Sequence, residues 1–145
     1  MDLREHPPRR NRERLAGFIW LPRLIDKVRT FQSSTLGAYA YPSHTDRAFI
    51  RKFRLTPALS EQTVRATPND ELIAEPLQQS SGLSQDTISA RSDAFEKKYW
   101  LVFAVLDRDD GYARGIGYPI PRFLQPFIWN WYKEWVANKA SATDL

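Results

Sequence analysis

The chain has 145 residues, of which 42% are apolar and 26% charged. This composition is typical of one globular domain and excludes a disordered or collagen-like protein. The chain contains no cysteine, which excludes a disulfide scaffold, a cysteine-ligated metal and a cysteine nucleophile. The only histidines are His6 and His44, so we expect neither a metal nor a cofactor.

The net charge of +4 is unevenly distributed along the chain. Residues 1–54 contain 12 Lys/Arg and 5 Asp/Glu, a net of +7, whereas residues 55–145 contain 9 and 12, a net of −3. This asymmetry predicts either a basic face that binds phosphates or an acidic partner, or a solvated basic end that keeps the protein soluble. The longest apolar run, Tyr99 to Leu106, is too short for a membrane span of roughly 20 residues, and the N-terminus is not typical of a secretory signal. We expect a cytoplasmic protein without a membrane span.

The first elements are an arm and a helix. Residues 1–10 include Pro7 and Pro8, which favour an extended arm. Apolar side chains then recur at spacings of three and four, which predicts an amphipathic helix that starts at Arg12 after an Asn11 cap. Pro22 interrupts the pattern, so this helix either kinks there or gives way to a second helix with Pro22 in its first turn.

The middle of the chain is predicted to be irregular first and helical afterwards. Residues 36–44 are expected to form an irregular or extended aromatic segment. Thr45 is the predicted cap of a helix over residues 46–54, and two Thr-Pro pairs, at 56–57 and 67–68, predict further helix starts. By composition residues 78–84 are a linker, and Ser92 is the predicted cap of a helix that ends near Leu106.

The C-terminal residues predict a loop followed by an aromatic helix. Residues 111–122 carry three glycines and two prolines and are expected to be irregular. A helix over residues 123–138 follows, and we expect it to pack on the core domain, residues 11–110, or on a partner subunit in a homo-oligomer. The candidate interface residues are Phe127, Trp129, Trp131 and Trp135. The predicted fold is therefore mostly α, a single compact helical domain.

A candidate polar site lies in the first third of the chain. Arg23, Asp26 and Lys27 share one helix face, because they are three and four residues apart. Either Asp26 is a functional carboxylate whose properties are set by the flanking cations, or it forms ordinary surface ion pairs. His44 lies near the start of a predicted helix, and a histidine there tends to stay neutral, which suits a general base or a hydrogen-bond donor to a ligand. Alternatively, His44 satisfies a local backbone group. The full candidate site is Arg23, Asp26, Lys27, Tyr39, Tyr41, His44 and Asp46.

A second group of candidates is basic. Arg47, Arg51 and Arg54 would lie on one side of the predicted 46–54 helix, opposite Phe49 and Phe53. With the cations of the arm they could contact phosphates or an acidic partner. These candidate contacts are Arg9, Arg10, Arg12, Arg47, Arg51 and Lys52. No nucleic-acid-binding motif accompanies them, so we do not expect specific nucleic-acid recognition.

The run RERLAGFIWLPRLIDKVR (12–29), with TLGAYAY (35–41) and Asp46, resembles a small bacterial family named domain of unknown function 5069. The resemblance covers about residues 7 to 75 and implies a mainly helical cytoplasmic domain without an established activity. The chain departs from the family pattern at Ala16, where Gly is usual, and at residues 43–45, where many relatives have Cys-Pro-Leu. Because Arg23, Asp26, Lys27, Tyr39 and Tyr41 belong to the pattern, the resemblance favours a functional role for them as much as a structural one.

No motif in the sequence indicates a particular reaction. We find no glycine-rich phosphate loop, no nucleophile elbow and no paired carboxylates in apolar surroundings. We therefore interpret the chain as a non-enzymatic binding or adaptor module, capable of self-association. The alternative is a small-molecule-binding domain or an enzyme that uses the candidate polar site. A third hypothesis is non-specific nucleic-acid binding through the basic N-terminal third.

Overall fold

In a computed structural model, the protein is described over residues 1–112 and at Phe127, Asn130, Trp131 and Glu134. These residues divide between two compact units, residues 1–99 and residues 100–145. The elements are β1 (Arg14–Leu15), β2 (Phe18–Ile19), α1 (Leu21–Gln32), α2 (His44–Lys52), α3 (Pro57–Ala66), a 3₁₀ turn (Asp70–Leu72), α4 (Ala74–Ser81), α5 (Gln85–Lys98) and α6 (Trp100–Asp109). The prediction of a mostly α fold is confirmed. No helix in the described part of the chain has the length and apolarity needed to cross a membrane.

The predicted helix from Arg12 is wrong, because this segment forms a β-hairpin. β1 and β2 pair antiparallel, with Arg14 opposite Ile19. The turn between them places Ala16 at φ 48° and Gly17 at φ 85°, and two consecutive left-handed residues are the geometry that two-residue hairpins favour. Helix α1 begins at Leu21 with Pro22 in its first turn, which was one of the two predicted alternatives.

The next helices start close to the predicted positions, but with different caps. α2 begins at His44, and the side chain of Ser43, not of Thr45, accepts a hydrogen bond from the backbone of Asp46. α3 begins after Thr56, as predicted, and the Thr56 side chain caps it. At the second Thr-Pro pair Asn69 takes over the cap, and only a short 3₁₀ turn follows.

Two later predictions are also corrected. Residues 74–81 are helix α4, which ends at Gly82 in a left-handed conformation, so the linker is confined to the residues around Gly82. α5 begins at Gln85 after a Ser84 cap. Ser92 therefore lies inside α5, where its buried hydroxyl donates to the Gly17 carbonyl at 2.6 Å and accepts from the Ile19 backbone N–H at 3.0 Å. A polar residue that looked like a cap instead fixes the hairpin against a helix.

The core of residues 1–99 is built around aromatic rings that join the hairpin, α2 and α5. The ring of Phe18 lies 5.2 Å from that of Phe53, and Phe53 lies 4.8 Å from Phe49, measured between centroids. Phe49 contacts Phe95, which stacks on Tyr99 at 4.6 Å. Since all five rings are buried, these three elements are held together by one apolar cluster.

The arm and the segment near residue 40 are ordered without regular structure. Leu3 is buried, and its backbone N–H donates to the Thr35 carbonyl at 3.0 Å. Residues 36–43 form neither a helix nor a strand, as the irregular alternative predicted. A Cβ on Gly37, at φ 65°, would stand 3.1 Å from the Leu3 carbonyl oxygen, so glycine lets the two segments approach each other.

The predicted C-terminal loop and helix fall largely outside the described residues. The described residues of the predicted 123–138 helix are helical, whereas Trp129 and Trp135 lie outside the described part. The predicted domain boundaries at residues 10 and 110 stay predictions.

A buried ion-pair cluster as the candidate functional site

The polar face of α1 points into the protein. Arg23, Asp26 and Lys27 are all buried, as is Thr30 one turn further on. These residues lie at helical spacing on one side of α1. Buried charges are unfavourable unless they are paired, so each of them needs a partner from another segment.

The partner of Asp26 comes from the N-terminal arm. The backbone N–H of Arg9 donates to Asp26 Oδ2 at 2.8 Å. The Arg9 guanidinium donates to both oxygens of the same carboxylate, with Nη2 2.8 Å from Oδ1. Asp26 is fully buried, and this combination of one backbone and several side-chain donors is among the strong forms of carboxylate recognition.

A second carboxylate extends the network to the surface. Arg9 Nη1 lies 2.6 Å from Asp70 Oδ2, and Arg29 Nη1 lies 2.5 Å from Asp70 Oδ1. Burial alone would lower the pKa of Arg9, but the Asp26 and Asp70 carboxylates outweigh it and raise that pKa above its usual value. The arm, α1 and the 3₁₀ turn are thus joined through Arg9.

A parallel arrangement surrounds Asp46 on α2. Asp46 is fully buried, and its Oδ1 accepts a hydrogen bond from Trp20 Nε1 at 2.9 Å. Its Oδ2 accepts from Lys27 Nζ at 2.5 Å and from the Ser43 backbone N–H at 2.8 Å. Asp46 therefore serves as part of the α2 cap and as the counter-ion of Lys27 at once.

Arg23 contacts the backbone of Arg9 and two aromatic rings. Its Nη1 donates to the Arg9 carbonyl at 3.2 Å. Its guanidinium carbon lies 5.3 Å from the centre of the Trp20 ring and 5.7 Å from that of Tyr39, distances at which a cation is attracted by an aromatic face. We call these residues the buried cluster: Arg9, Trp20, Arg23, Asp26, Lys27, Tyr39, Ser43, Asp46 and Asp70.

Two of the predicted site residues have other surroundings. The Tyr41 hydroxyl donates to Glu61 Oε1 at 3.2 Å, and its ring lies 5.3 Å from that of Phe31. Burial, followed by the charge of Glu61, raises the pKa of Tyr41. His44 is half-buried as the first residue of α2. The structure thus brings Arg23, Asp26, Lys27, Tyr39 and Asp46 together and places Tyr41 beside α3.

The carboxylates of the buried cluster already have hydrogen-bond donors within the protein. Each oxygen of Asp26 and Asp46 already accepts at least one hydrogen bond, whereas a general base must reach a proton of its substrate. In the described part of the chain, no three His, Cys, Asp or Glu side chains are grouped so that they could hold a metal ion. This geometry is suited to holding segments together.

The predicted basic contacts separate into two groups. Arg9 belongs to the buried cluster, and Arg12 pairs with Glu96 at 3.4 Å. Arg10, Arg47 and Arg51 are exposed, and Lys52 is half-buried.

The most useful missed residues are Trp20, Ser43 and Asp70, which complete the buried cluster from three different segments. Spacing along one helix cannot reveal such partners. The position of Ser43 three residues before Asp46 is a capping-box signal, and it could have identified that pair.

The chain matches the family model described as Domain of unknown function (DUF5069) over residues 5–108. No curated protein matches it. The matched range contains every residue of the buried cluster, from Arg9 to Asp70, and extends beyond the resemblance seen in residues 7 to 75. Since the match covers well over half of the chain, the protein belongs to the DUF5069 family.

Proposed function

We propose that the protein is a non-enzymatic binding module that associates with a second copy of itself. The observation that supports self-association is the exposure of large aromatic side chains in the unit that begins at residue 100. Trp100 is 49% exposed, Phe127 70% and Trp131 56%. Aromatic side chains are enriched at protein interfaces relative to the rest of the surface.

The buried cluster supports the non-enzymatic part of this proposal. Asp26 is engaged by Arg9, and Asp46 by Lys27 and Trp20. In the alternative, a small-molecule-binding domain or enzyme, a ligand would have to displace Arg9 or Lys27 from a buried carboxylate. Such a displacement costs several kcal/mol, because it leaves a buried charge without its counter-ion.

Light scattering over a range of concentrations tests self-association. We expect the full chain to show a mass above the 16.9 kDa of one copy. The double variant Phe127→Ser/Trp131→Ser should return to that mass, because it removes apolar surface from the interface. The matched control is Leu72→Ser, which alters an equally exposed apolar residue in the other unit and should leave the mass unchanged. A full chain with a mass near 16.9 kDa at every concentration would show that it does not self-associate.

A further inference from the structure

The outer side of α2 is a row of exposed arginines. Arg47 and Arg51 lie one turn apart on α2, opposite the buried ring of Phe49, and the exposed Arg54 follows two residues after the helix ends. Within the described residues none of these arginines pairs with a carboxylate. Like charges in such a row repel one another, and an anionic partner would relieve the repulsion.

Helix α5 adds cations to the same surface. Arg91 Nη1 donates to the carbonyl of Lys52 at 2.6 Å, which places it at the C-terminal end of α2. Lys98 Nζ lies 5.5 Å from the centre of the Tyr99 ring. Burial raises the pKa of Tyr99 and the charge of Arg51 opposes that rise, so Arg51 and Lys98 are both neighbours of this ring.

Two of the three carboxylates of α5 pair with cations of another segment. Asp93 Oδ1 lies 2.8 Å from Arg14 Nη2 on the hairpin. Glu96 pairs with Arg12 and with Arg14, at 3.4 and 3.5 Å. Asp93 and Glu96 thus pair with the segment around β1, while Arg91 and Lys98 have no carboxylate partner among the described residues.

We infer that this basic surface binds an acidic segment of a partner protein. Its residues are Arg47, Arg51, Lys52, Arg54, Arg91 and Lys98. Arginine side chains bind carboxylates through two parallel hydrogen bonds. Arg47 and Arg51 lie about 6 Å apart along the axis of α2 at ~1.5 Å per residue, a distance that an extended peptide covers with about two residues.

The burial of the aromatic rings beneath the basic surface favours an acidic protein over a nucleic acid as its partner. Phe49, Phe53, Phe95 and Tyr99 are all buried, so they offer no face on which a base could stack. This inference is independent of self-association, because the basic surface lies within residues 47–98.

Fluorescence anisotropy with a labelled peptide of alternating Glu and Gly tests the inference on the full chain. We expect binding at low salt, and none to the same peptide with Gln in place of Glu. Arg51→Glu should weaken binding by at least about tenfold, because it places a like charge opposite the peptide. Arg47→Glu, near the other end of α2, should weaken it similarly and covers the case in which Arg51→Glu unfolds the protein.

The matched control is Arg65→Glu. Arg65 is exposed and lies in the last turn of α3, as Arg51 lies in the last turn of α2, so the two variants change net charge and helix-end electrostatics alike. We expect the Arg65→Glu variant to bind the peptide nearly as well as the original chain does. Equal losses for Arg65→Glu and Arg51→Glu, or no binding of the Glu peptide, would overturn the inference. A duplex oligonucleotide that displaces the peptide at a lower concentration would assign the surface to nucleic acid instead.

Discussion

At the scale of single residues, Asp26 and Asp46 are both buried carboxylates, and each is stabilised by a different set of hydrogen-bond donors. Asp26 binds one arginine through its backbone and its side chain. Asp46 binds a lysine, an indole and a backbone N–H. Both carboxylates are fully buried, and in both cases the cation that pairs with the carboxylate comes from a different segment. Each carboxylate therefore depends on the folded state for its counter-ion.

Asp26→Asn should lower the free energy of unfolding by about 3 kcal/mol. The substitution removes a charge that Arg9 requires, and breaking one half of a buried ion pair costs about that amount. Urea unfolding measures the change. Glu5→Gln makes the same chemical replacement at an exposed position and should cost less than about 0.5 kcal/mol. Equal stabilities of the two variants would contradict the role given to Asp26.

The spacing on α1 predicted that Arg23, Asp26 and Lys27 share a face. It could not predict that this face is buried, because their partners lie far away along the chain. Arg9 is 17 residues from Asp26 and Asp46 is 19 from Lys27. Periodicity reports neighbours within one helix, whereas the partners of a buried charge are set by tertiary packing.

At the scale of elements, the hairpin and α5 depend on Ser92. Ser92→Ala would leave the Ile19 N–H and the Gly17 carbonyl without this partner in a buried position. A loss of about 1–3 kcal/mol in the free energy of unfolding is the expected result. Ser89→Ala, at an exposed position of the same helix, provides the comparison in the same urea titration and should be almost neutral. If Ser92→Ala were also neutral, the hairpin would be held by its apolar contacts alone.

The hairpin shows why part of the fold could not be predicted from the sequence. Leu15, Phe18 and Ile19 have spacings that fit a helix, and only Gly17 signals a turn among them. The φ of 48° at Ala16 has no signal in the sequence. The start of α3 was predictable because Thr56 and Pro57 act locally, one as a cap and the other in the first turn.

At the scale of the whole molecule, the N-terminal arm is part of the fold. Deleting residues 1–10 would remove the counter-ion of Asp26 together with the buried Leu3. We expect a larger loss of stability than Asp26→Asn causes, since apolar burial is lost as well. Thermal unfolding checks this, with Arg4→Ala as a control, because Arg4 pairs with Asp2 at the exposed surface. A deletion variant as stable as the full chain would refute it.

The contacts of Ser92 also determine when, during synthesis, the hairpin can pack against α5. Its hydroxyl meets Ile19, 73 positions earlier, and Asp93 meets Arg14 across 79 positions. At about 5–20 residues per second, roughly 4–15 seconds separate the emergence of these partners from the ribosome. During that interval Phe18 and Ile19, fully buried in the finished protein, face water or a chaperone. A nascent chain halted before α5 should therefore expose its hairpin to proteases, and one halted after α5 should protect it.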